Sequence, residues 1–544
     1  MLPGISPGLR GAAAIQLLEP RRLLAITAQI VANQLQVTGS DEAEAIVFAI
    51  NGTSGQIEVT SGPQTLAFDP GDFTSVVVNA LDGDDQVDAG VLDVPATLDG
   101  GLGMDRLTGG SAGDALFGRE EPDILVGGDG DDTLDGGGKE DALNGGNGND
   151  LLLGSAGLDT LDGGSGSDTL DGGSGESDLA SYAARSEDLN LSLDGVANDG
   201  AAGENDQLLD IEDVTGGSGN DSITGSGKAN VIRDTGGIDT VRGLGGKDNL
   251  GGESVDGGSG DDSLGGSNGT LFGAGGDDRF DGSSGNHLMQ GGSGDDTFFS
   301  VPFGVNTMLG EAGNDRFSGI AYEPGSVLDG GSGDDTWEQG NSFQTIQFLG
   351  QAGDDTVEAE FSPNPGFCVF SGGSGFDHLT IVADAGGTNV FQVTLDNVAN
   401  DGDPGGGTDI RSDWEHIFGY FYEQRPGTPE GDMRLDASML NKGVTLEAGN
   451  GADTLIGGSA GDLLIGGAGN DSLVGNAGED VLRGRHGNDR LIGGPGPDSF
   501  NGGPGDDFLD ADDGEIDLVN GSSGSDTAEI DEGIDVVSEV EATS

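Results

Sequence analysis

The chain has 544 residues, of which 110 are glycine and only 5% are aromatic, and its formal net charge is -78. So few large apolar side chains cannot fill a thick globular core, which favours a fold built from thin stacked layers. The charge argues against nucleic acid and anionic membranes as partners and makes a divalent cation the natural counter-ion. No run of about 18 apolar residues occurs, so no membrane-spanning helix is expected.

The first 25 residues form an N-terminal, targeting-like segment. Residues 18–24 (LEPRRLL) resemble the LEPR-XLL motif near the N-terminus of many large secreted bacterial proteins. Residues 26–99 then show short alternating runs, such as 34–37 (QLQV) and 75–78 (SVVV), separated by turn residues. We interpret residues 26–99 as β-rich layers that start and cap a solenoid.

Residues 100–180 repeat every nine positions. Each unit carries an aspartate and, two positions later, an apolar residue that is leucine throughout this block, which gives the pattern GGxGxDxLx; clear copies are residues 127–135 and 163–171. The aspartates of this block are Asp105, Asp114, Asp123, Asp132, Asp141, Asp150, Asp159 and Asp168. A glycine- and aspartate-rich nonapeptide of this form is typical of calcium-binding parallel β-helices.

The spacing of the repeat predicts a metal site. Its glycines allow tight turns with positive φ, and the leucine of the short strand points inward. Two units then form one coil with a loop on each side, so aspartates from successive coils face the same gap, with coils about 4.8 Å apart. Carboxylates and loop carbonyls make an all-oxygen shell that suits several calcium ions, whereas the scarcity of histidine and cysteine disfavours zinc and copper.

Further repeats follow the first block. Residues 181–250 form an irregular module plus repeats, 251–380 a long-pitch region, 381–445 a second irregular module, 446–528 a second strict block and 529–544 an acidic tail. In the long-pitch region His287 stands where an aspartate is expected. Candidate ligands after the first block are Asp221, Asp262, Asp278, Asp296, Asp315, Asp335, Asp355, Asp453, Asp462, Asp471, Asp480, Asp489, Asp498 and Asp507.

The order of these segments resembles the repeats-in-toxin, or hemolysin-type calcium-binding, family of secreted bacterial proteins. The similarity lies in a repeat block, residues 180–182 (ASY), a strand-like 190–193 (NLSL), residues 211–212 (IE) and renewed repeats. The resemblance implies an all-β, right-handed parallel β-roll or β-helix of stacked 18-20-residue coils with calcium in the loops. It also implies a secreted or cell-surface location, with the acidic tail placed where the family carries a type I secretion signal.

The two sides of the first block differ in sequence. On one side the residues before the aspartates are Gly113, Asp131, Asn149 and Ser167; on the other they are Met104, Pro122, Glu140 and Leu158. We expect the first side, with Asp131 and Asn149 among its ligands, to bind calcium well. We expect the second side to bind weakly or not at all.

The two irregular modules contain related segments. Residues 395–402 (LDNVANDG) match 193–200 (LDGVANDG), and 414–417 (WEHI) stand where 211–214 (IEDV) stood. This indicates one duplicated module. Its acidic loops are either solvated turns or further cation sites.

We therefore predict a secreted or surface structural protein that binds calcium, folds on binding it and has no enzymatic activity. One alternative is a calcium-dependent adhesin for extracellular polysaccharide, with Trp337, Trp414 and the 418–422 cluster (FGYFY) stacking on sugars or packing locally. Another is a solenoid polysaccharide lyase or epimerase that uses paired aspartates. None of the four histidines lies in an HExxH motif, and Cys368 is expected to be a small buried hydrophobe.

Overall fold

The computed structural model describes residues 26–175, 177–282, 285–299, 304–319, 325–339, 346–361, 369–384, 391–394, 409–410, 413–422 and 431–543. The LEPR-XLL-like segment, Cys368 and the second acidic loop at 395–402 lie outside these residues. The described residues form two compact units, one ending at Asp178 and the other beginning at Leu179. No helix in this described part is long and apolar enough to cross a bilayer.

The first unit contains sixteen strands and one 3-10 turn, Pro70–Asp72. Strands β1 to β16 are Thr27–Val31, Gln34–Thr38, Ala45–Ile50, Ile57–Ser61, Gln64–Phe68, Ser75–Asn79, Gln86–Asp88, Ala96–Gly101, Arg106–Thr108, Ala115–Arg119, Ile124–Asp129, Thr133–Gly138, Ala142–Asn147, Leu151–Ala156, Thr160–Ser165 and Thr169–Asp171.

The second unit continues with strands β17 to β55. They are Leu179–Ser181, Leu189–Ser192, Gly200–Ala201, Gln207–Leu209, Asp213–Thr215, Ser222–Thr224, Val231–Arg233, Thr240–Gly245, Asn249–Gly251, Ser254–Ser259, Ser263–Gly266, Thr270–Gly275, Arg279–Gly282, Leu288–Ser293, Thr297–Phe299, Thr307–Ala312, Arg316–Gly319, Ser326–Ser332, Thr336–Gln339, Ile346–Ala352, Thr356–Phe361, Val369–Ser374, His378–Asp384, Phe391–Thr394, Asp409–Ile410, His416–Tyr422, Met433–Asp436, Thr445–Ala448, Thr454–Ile456, Leu463–Ala468, Ser472–Val474, Val481–His486, Arg490–Ile492, Ser499–Pro504, Phe508–Ala511, Leu518–Ser523, Thr527–Ile530, Val536–Ser538 and Ala542–Thr543.

Each unit is a parallel β-solenoid. In the repeats a strand pairs not with its neighbour in sequence but with the next strand but one, as β10 pairs with β12 and β11 with β13. Alternate strands therefore build two opposite sheets, and the loops between them form the two sides of the coil. At the start of the first unit, β1 pairs with β2, and β4 with β3 and β5, in antiparallel fashion. The all-β solenoid expected from the sequence is confirmed.

The core is a narrow double ladder of the repeat leucines. In one sheet Leu116, Leu134 and Leu152 are register partners, and in the other Leu125 lies beside Leu143. Most of these leucines are fully buried, and Leu143 is 2% exposed. Each contributes roughly 1.5 to 3 kcal/mol of burial. Two such side chains per coil leave the loops dependent on some other source of stability.

Aromatic residues replace the leucines in the long-pitch region. The rings of Phe280, Phe298 and Phe317 stack on successive coils, with centroids 4.6 and 4.9 Å apart. Trp337 continues the same sheet and stacks on Phe348 of the opposite sheet at 5.6 Å. The wider coils of this region are thus filled by larger side chains. Trp337 and Trp414 are both fully buried, which places these two indoles in the interior and not on a sugar-binding surface.

The aromatic stack generates the first prediction. Phe298→Ala should destabilise the calcium-saturated protein by about 3 to 5 kcal/mol, because it opens a cavity between two stacked rings. Urea unfolding followed by the fluorescence of Trp337 and Trp414 measures the change. Phe299→Ala is the matched control, since its ring lies on the outer face under Arg279 at 3.9 Å. Equal destabilisation by the two variants would contradict this assignment of the core.

Candidate metal-binding loops

The repeat aspartate joins one coil to the coil before it. The Oδ1 atom of Asp132 accepts a hydrogen bond from the backbone N–H of Asp114 at 2.7 Å. The N–H of Asp132 in turn donates to Oδ1 of Asp150 at 2.8 Å, 18 residues later. On the other side of the coil, Asp105 and Asp123 make the same bond at 2.7 Å. The aspartate of the nonapeptide is thus a structural link before any metal is considered.

Every repeat aspartate predicted as a ligand lies in such a ladder and is at most 4% exposed. In the first block these are Asp105, Asp114, Asp123, Asp132, Asp141, Asp150, Asp159 and Asp168; in the second unit they are Asp221, Asp262, Asp278, Asp296, Asp315, Asp335, Asp355, Asp453, Asp462, Asp471, Asp480, Asp489, Asp498 and Asp507.

The second carboxylate oxygen has a different environment. Among the described residues, Oδ2 is buried and accepts no hydrogen bond in most of these loops. These loops are those of Asp105, Asp123, Asp132, Asp141, Asp150, Asp159, Asp262, Asp278, Asp296, Asp315, Asp335, Asp355, Asp471, Asp480, Asp489, Asp498 and Asp507. A buried carboxylate oxygen without a donor is costly, and a bound cation removes that cost. The residues present therefore fit calcium, which prefers such oxygens.

The loop glycines make room for this arrangement. Gly128 and Gly130 have φ of +118° and +116°. A Cβ on Gly128 would overlap the carbonyl oxygen of Gly110 in the preceding coil, and a Cβ on Gly127 would overlap Oδ2 of Asp132. Backbone carbonyls and carboxylates are thus brought together without side chains between them, which supplies further oxygen ligands.

Three loops differ from this pattern. Oδ2 of Asp114 accepts a hydrogen bond from Gly110 N at 2.5 Å, that of Asp221 from Gly217 N at 2.9 Å and that of Asp462 from Gly458 N at 2.6 Å. The three carboxylates therefore have both oxygens satisfied by the backbone. We call these three the closed loops.

Asp131 and Asn149 occupy a different position from the buried aspartates. Both are exposed, and the N–H of Asn149 donates to Oδ1 of Asp131 at 2.8 Å. Ser167 N donates in the same way to Asn149 Oδ1 at 3.0 Å. The residues before the aspartates on the first side therefore form an outer ladder, which gives their preference for Asp, Asn and Ser a structural cause.

The two sides differ in their glycines more than in their aspartates. On the second side Arg119 and Lys139 hold φ of +105° and +79°, a region that favours glycine. Asp132 and Asp123 are each 2% exposed and each have an Oδ2 without a donor. The carboxylates alone do not separate the sides, so stronger binding on the first side stays a prediction.

His287 was identified from the sequence at an aspartate position, whereas Asn306, Ser326 and Glu415 were missed. His287 is 4% exposed, and its backbone N–H donates to Oδ1 of Asn306 at 3.0 Å, while Asn306 N donates to Ser326 Oγ at 3.1 Å. The second side of the long-pitch region thus keeps the ladder without carboxylates. Glu415 replaces an aspartate at the end of the other ladder, with Oε2 accepting from Asp377 N at 2.9 Å. The constant offset from the inward-facing apolar residue could have identified these positions.

The described acidic loop of the first module is solvated only at its tip, where Asp194 and residues 196–198 are exposed. Asp199 and Asp206 are each 1% exposed. Asp199 Oδ1 accepts from Ser192 N at 2.6 Å, and Asp206 Oδ2 accepts from the Tyr182 hydroxyl at 3.1 Å. The loop is therefore packed against its own module.

Comparison with known families agrees with this geometry. The family model for the RTX calcium-binding nonapeptide repeat matches residues 97–125, 108–143, 117–152, 144–179, 210–227, 224–254, 272–300, 447–482 and 483–515. These segments, which cover less than half of the chain, carry RTX calcium-binding repeats. No curated protein matched the chain in a sequence search. The match implies calcium binding, and the loops with an unpaired Oδ2 offer carboxylates that fit the ion.

The electrostatics of the RTX loops explain why a cation is needed. Burial raises the pKa of Asp132 and of Asp123 to about 7, against the opposing effect of the backbone N–H bond, and neighbouring carboxylates raise it further. In the long-pitch region burial and adjacent aspartates raise the pKa of Asp296 and Asp335 to about 8. Ionised carboxylates are thus held in place at a cost when no cation is bound.

This generates a prediction for the calcium-free protein. Because the pKa of these aspartates is higher in the folded state than in the unfolded chain, their protonation favours folding at low pH, and this stability is lost as pH rises through about 6 to 8. In EDTA, far-UV circular dichroism should therefore show more β-structure at pH 5 than at pH 8. More β-structure at pH 8 would contradict the burial of ionisable aspartates described above.

Proposed function

We propose that calcium orders the RTX coils and that the protein is a secreted or cell-surface structural module without enzymatic activity. The observation that supports this is the recurrence, coil after coil, of a buried carboxylate oxygen with no hydrogen-bond donor. A catalytic site needs a few distinctive groups in one cleft, whereas these groups are nearly identical along the chain. Repetition of one site favours a structural role for the metal.

The energy of the loops makes calcium essential to this role. Two carboxylates about 4 Å apart at an effective dielectric constant of about 20 repel each other by roughly 4 kcal/mol. One buried leucine contributes roughly 1.5 to 3 kcal/mol, which does not offset that repulsion. A calcium ion replaces the repulsion with attraction, so binding and folding of these coils are one process.

Calcium titration of the full chain tests this coupling. Starting from the chelated state at about pH 7.5, β-structure should rise cooperatively with calcium. Circular dichroism and calorimetry on the same samples give the folding transition and the stoichiometry. The same concentration of magnesium is the control, since the loops suit the larger ion. Unchanged β-structure on adding calcium would refute the proposal.

The two sides of the coil give a matched pair of variants. Asp132→Ala should lower calcium affinity roughly tenfold or more, and more than Asp123→Ala does. The reason is that the Asp132 loop has glycine, Gly128 and Gly130, at its left-handed positions, whereas the Asp123 loop has Arg119. The pair Asp132→Asn and Asp123→Asn keeps an oxygen for the interstrand hydrogen bond and removes only the charge. Calorimetry measures both pairs. Equal losses would contradict the two-sided assignment while leaving calcium binding itself intact.

A further inference from the structure

The three closed loops share one local structure. In each, the serine after the glycine pair donates its backbone N–H to the carbonyl of an earlier turn: Ser111 to Leu92 at 2.9 Å, Ser218 to Arg185 at 3.0 Å and Ser459 to Leu440 at 2.9 Å. Each acceptor residue itself closes a four-residue turn, as Leu92 N does on Ala89 O at 2.9 Å. The same construction therefore occurs three times in the chain.

The closed loops also share their place in the repeats. Oδ1 of Asp114 accepts from Ala96 N at 2.6 Å, that of Asp221 from Leu189 N at 2.8 Å and that of Asp462 from Val444 N at 2.9 Å. None of these three donors is itself a repeat aspartate. Each closed loop is thus the first in its ladder. Regular loops follow those of Asp114 and Asp462, whereas the ladder of Asp221 continues through Asp239 to the carboxylate of Glu253.

The backbone explains why these loops close. The second glycine of a regular loop, such as Gly128, has a left-handed φ, whereas Gly110, Gly217 and Gly458 lie outside the left-handed region. Their N–H groups are therefore free to turn towards Oδ2 of the loop aspartate. In these three loops a backbone N–H donates to Oδ2, the oxygen that has no donor in most of the regular loops.

At Glu415 a lysine side chain satisfies the second carboxylate oxygen. One oxygen, Oε2, accepts from Asp377 N as a repeat aspartate would, at 2.9 Å. The other, Oε1, forms an ion pair with Lys442 Nζ, which also donates to the backbone carbonyl of Asp413 at 2.6 Å. The ammonium is therefore held by a carboxylate and a backbone carbonyl, the same kinds of oxygen that the regular loops offer to calcium.

The first module also pairs glutamates with basic side chains. Glu212 is 5% exposed, and its Oε1 pairs with Lys228 Nζ at 2.7 Å. Arg185 binds both oxygens of Glu204 in the same module, at 2.8 and 2.9 Å. In a chain with 98 acidic and only 20 basic residues, the placement of cations on these glutamates is informative.

We propose that the carboxylates of Asp114, Asp462, Glu212 and Glu415 are withheld from calcium, and that the coils carrying them, the start coils, need no metal on that side. The regular coils then extend from the start coils as calcium binds. This rests on the proposed coupling of calcium to folding. It also removes Asp114 and Asp462 from the calcium ligands expected from the sequence, whereas Asp221 stays a candidate because its carboxylate lies within 4.8 Å of those of Asp234 and Asp239.

Hydrogen–deuterium exchange of the full chain tests this proposal. In EDTA at neutral pH, amides of the start coil at residues 431–463 should exchange at least roughly tenfold more slowly than those of the regular coils at 133–171 and 472–509. In calcium all three segments should be protected. Equal exchange of the three segments in EDTA would overturn the start coil. Failure of calcium to protect the regular segments would instead overturn the proposed function.

A pair of lysine variants tests the internal cation. Lys442→Met should speed exchange in residues 431–463 roughly tenfold in EDTA, because it leaves the Glu415 carboxylate without its partner. Lys247→Met is the control, since Lys247 is an exposed lysine beside Asp248 for which no ion pair is seen in the described residues. Identical exchange in the two variants would refute the role of Lys442. Lys228→Met, which frees Glu212, provides the second measurement if Lys442→Met does not fold in calcium.

Discussion

The structure depends on one buried carboxylate used in two ways. One oxygen of the repeat aspartate accepts the backbone N–H of the equivalent residue a coil earlier, and so fixes how coils stack. The other oxygen is buried by the same stacking and, in most loops, has no donor. Stacking the coils therefore buries an oxygen that a cation would satisfy. The proposed coupling of calcium binding to folding follows from this arrangement.

Local departures from the repeat follow the same constraint. At some loops the chain itself satisfies the carboxylate, either with a glycine N–H, as at Gly110, or with a lysine, as at Lys442. On the second side of the long-pitch region, His287, Asn306 and Ser326 stand in place of the carboxylates and keep the ladder. In each case the buried carboxylate oxygen either gains a donor from the chain or is absent because another residue stands in its place.

The core changes in step with the loops. Strict nonapeptide coils are narrow and are filled by two leucines, so much of their order comes from the loops. The long-pitch coils keep acidic loops on one side only and are filled by stacked Phe280, Phe298 and Phe317. Larger apolar side chains contribute more burial free energy per coil. The side of these coils that lacks acidic loops therefore has less need of metal for its stability.

The sequence by itself determined the solenoid, the inward leucines and the buried aspartates, because a period of nine with glycines at fixed offsets admits few other structures. It also indicated the duplicated module from residues 193–200 and 395–402. Tertiary structure decided which oxygen of each aspartate is used, because the donor to Asp132 comes from the preceding coil and not from the nonapeptide itself. It likewise decided that Asp114 closes on Gly110 and that Lys442 reaches Glu415, since spacing fixes the position of a carboxylate but not the backbone angle or distant side chain that satisfies it.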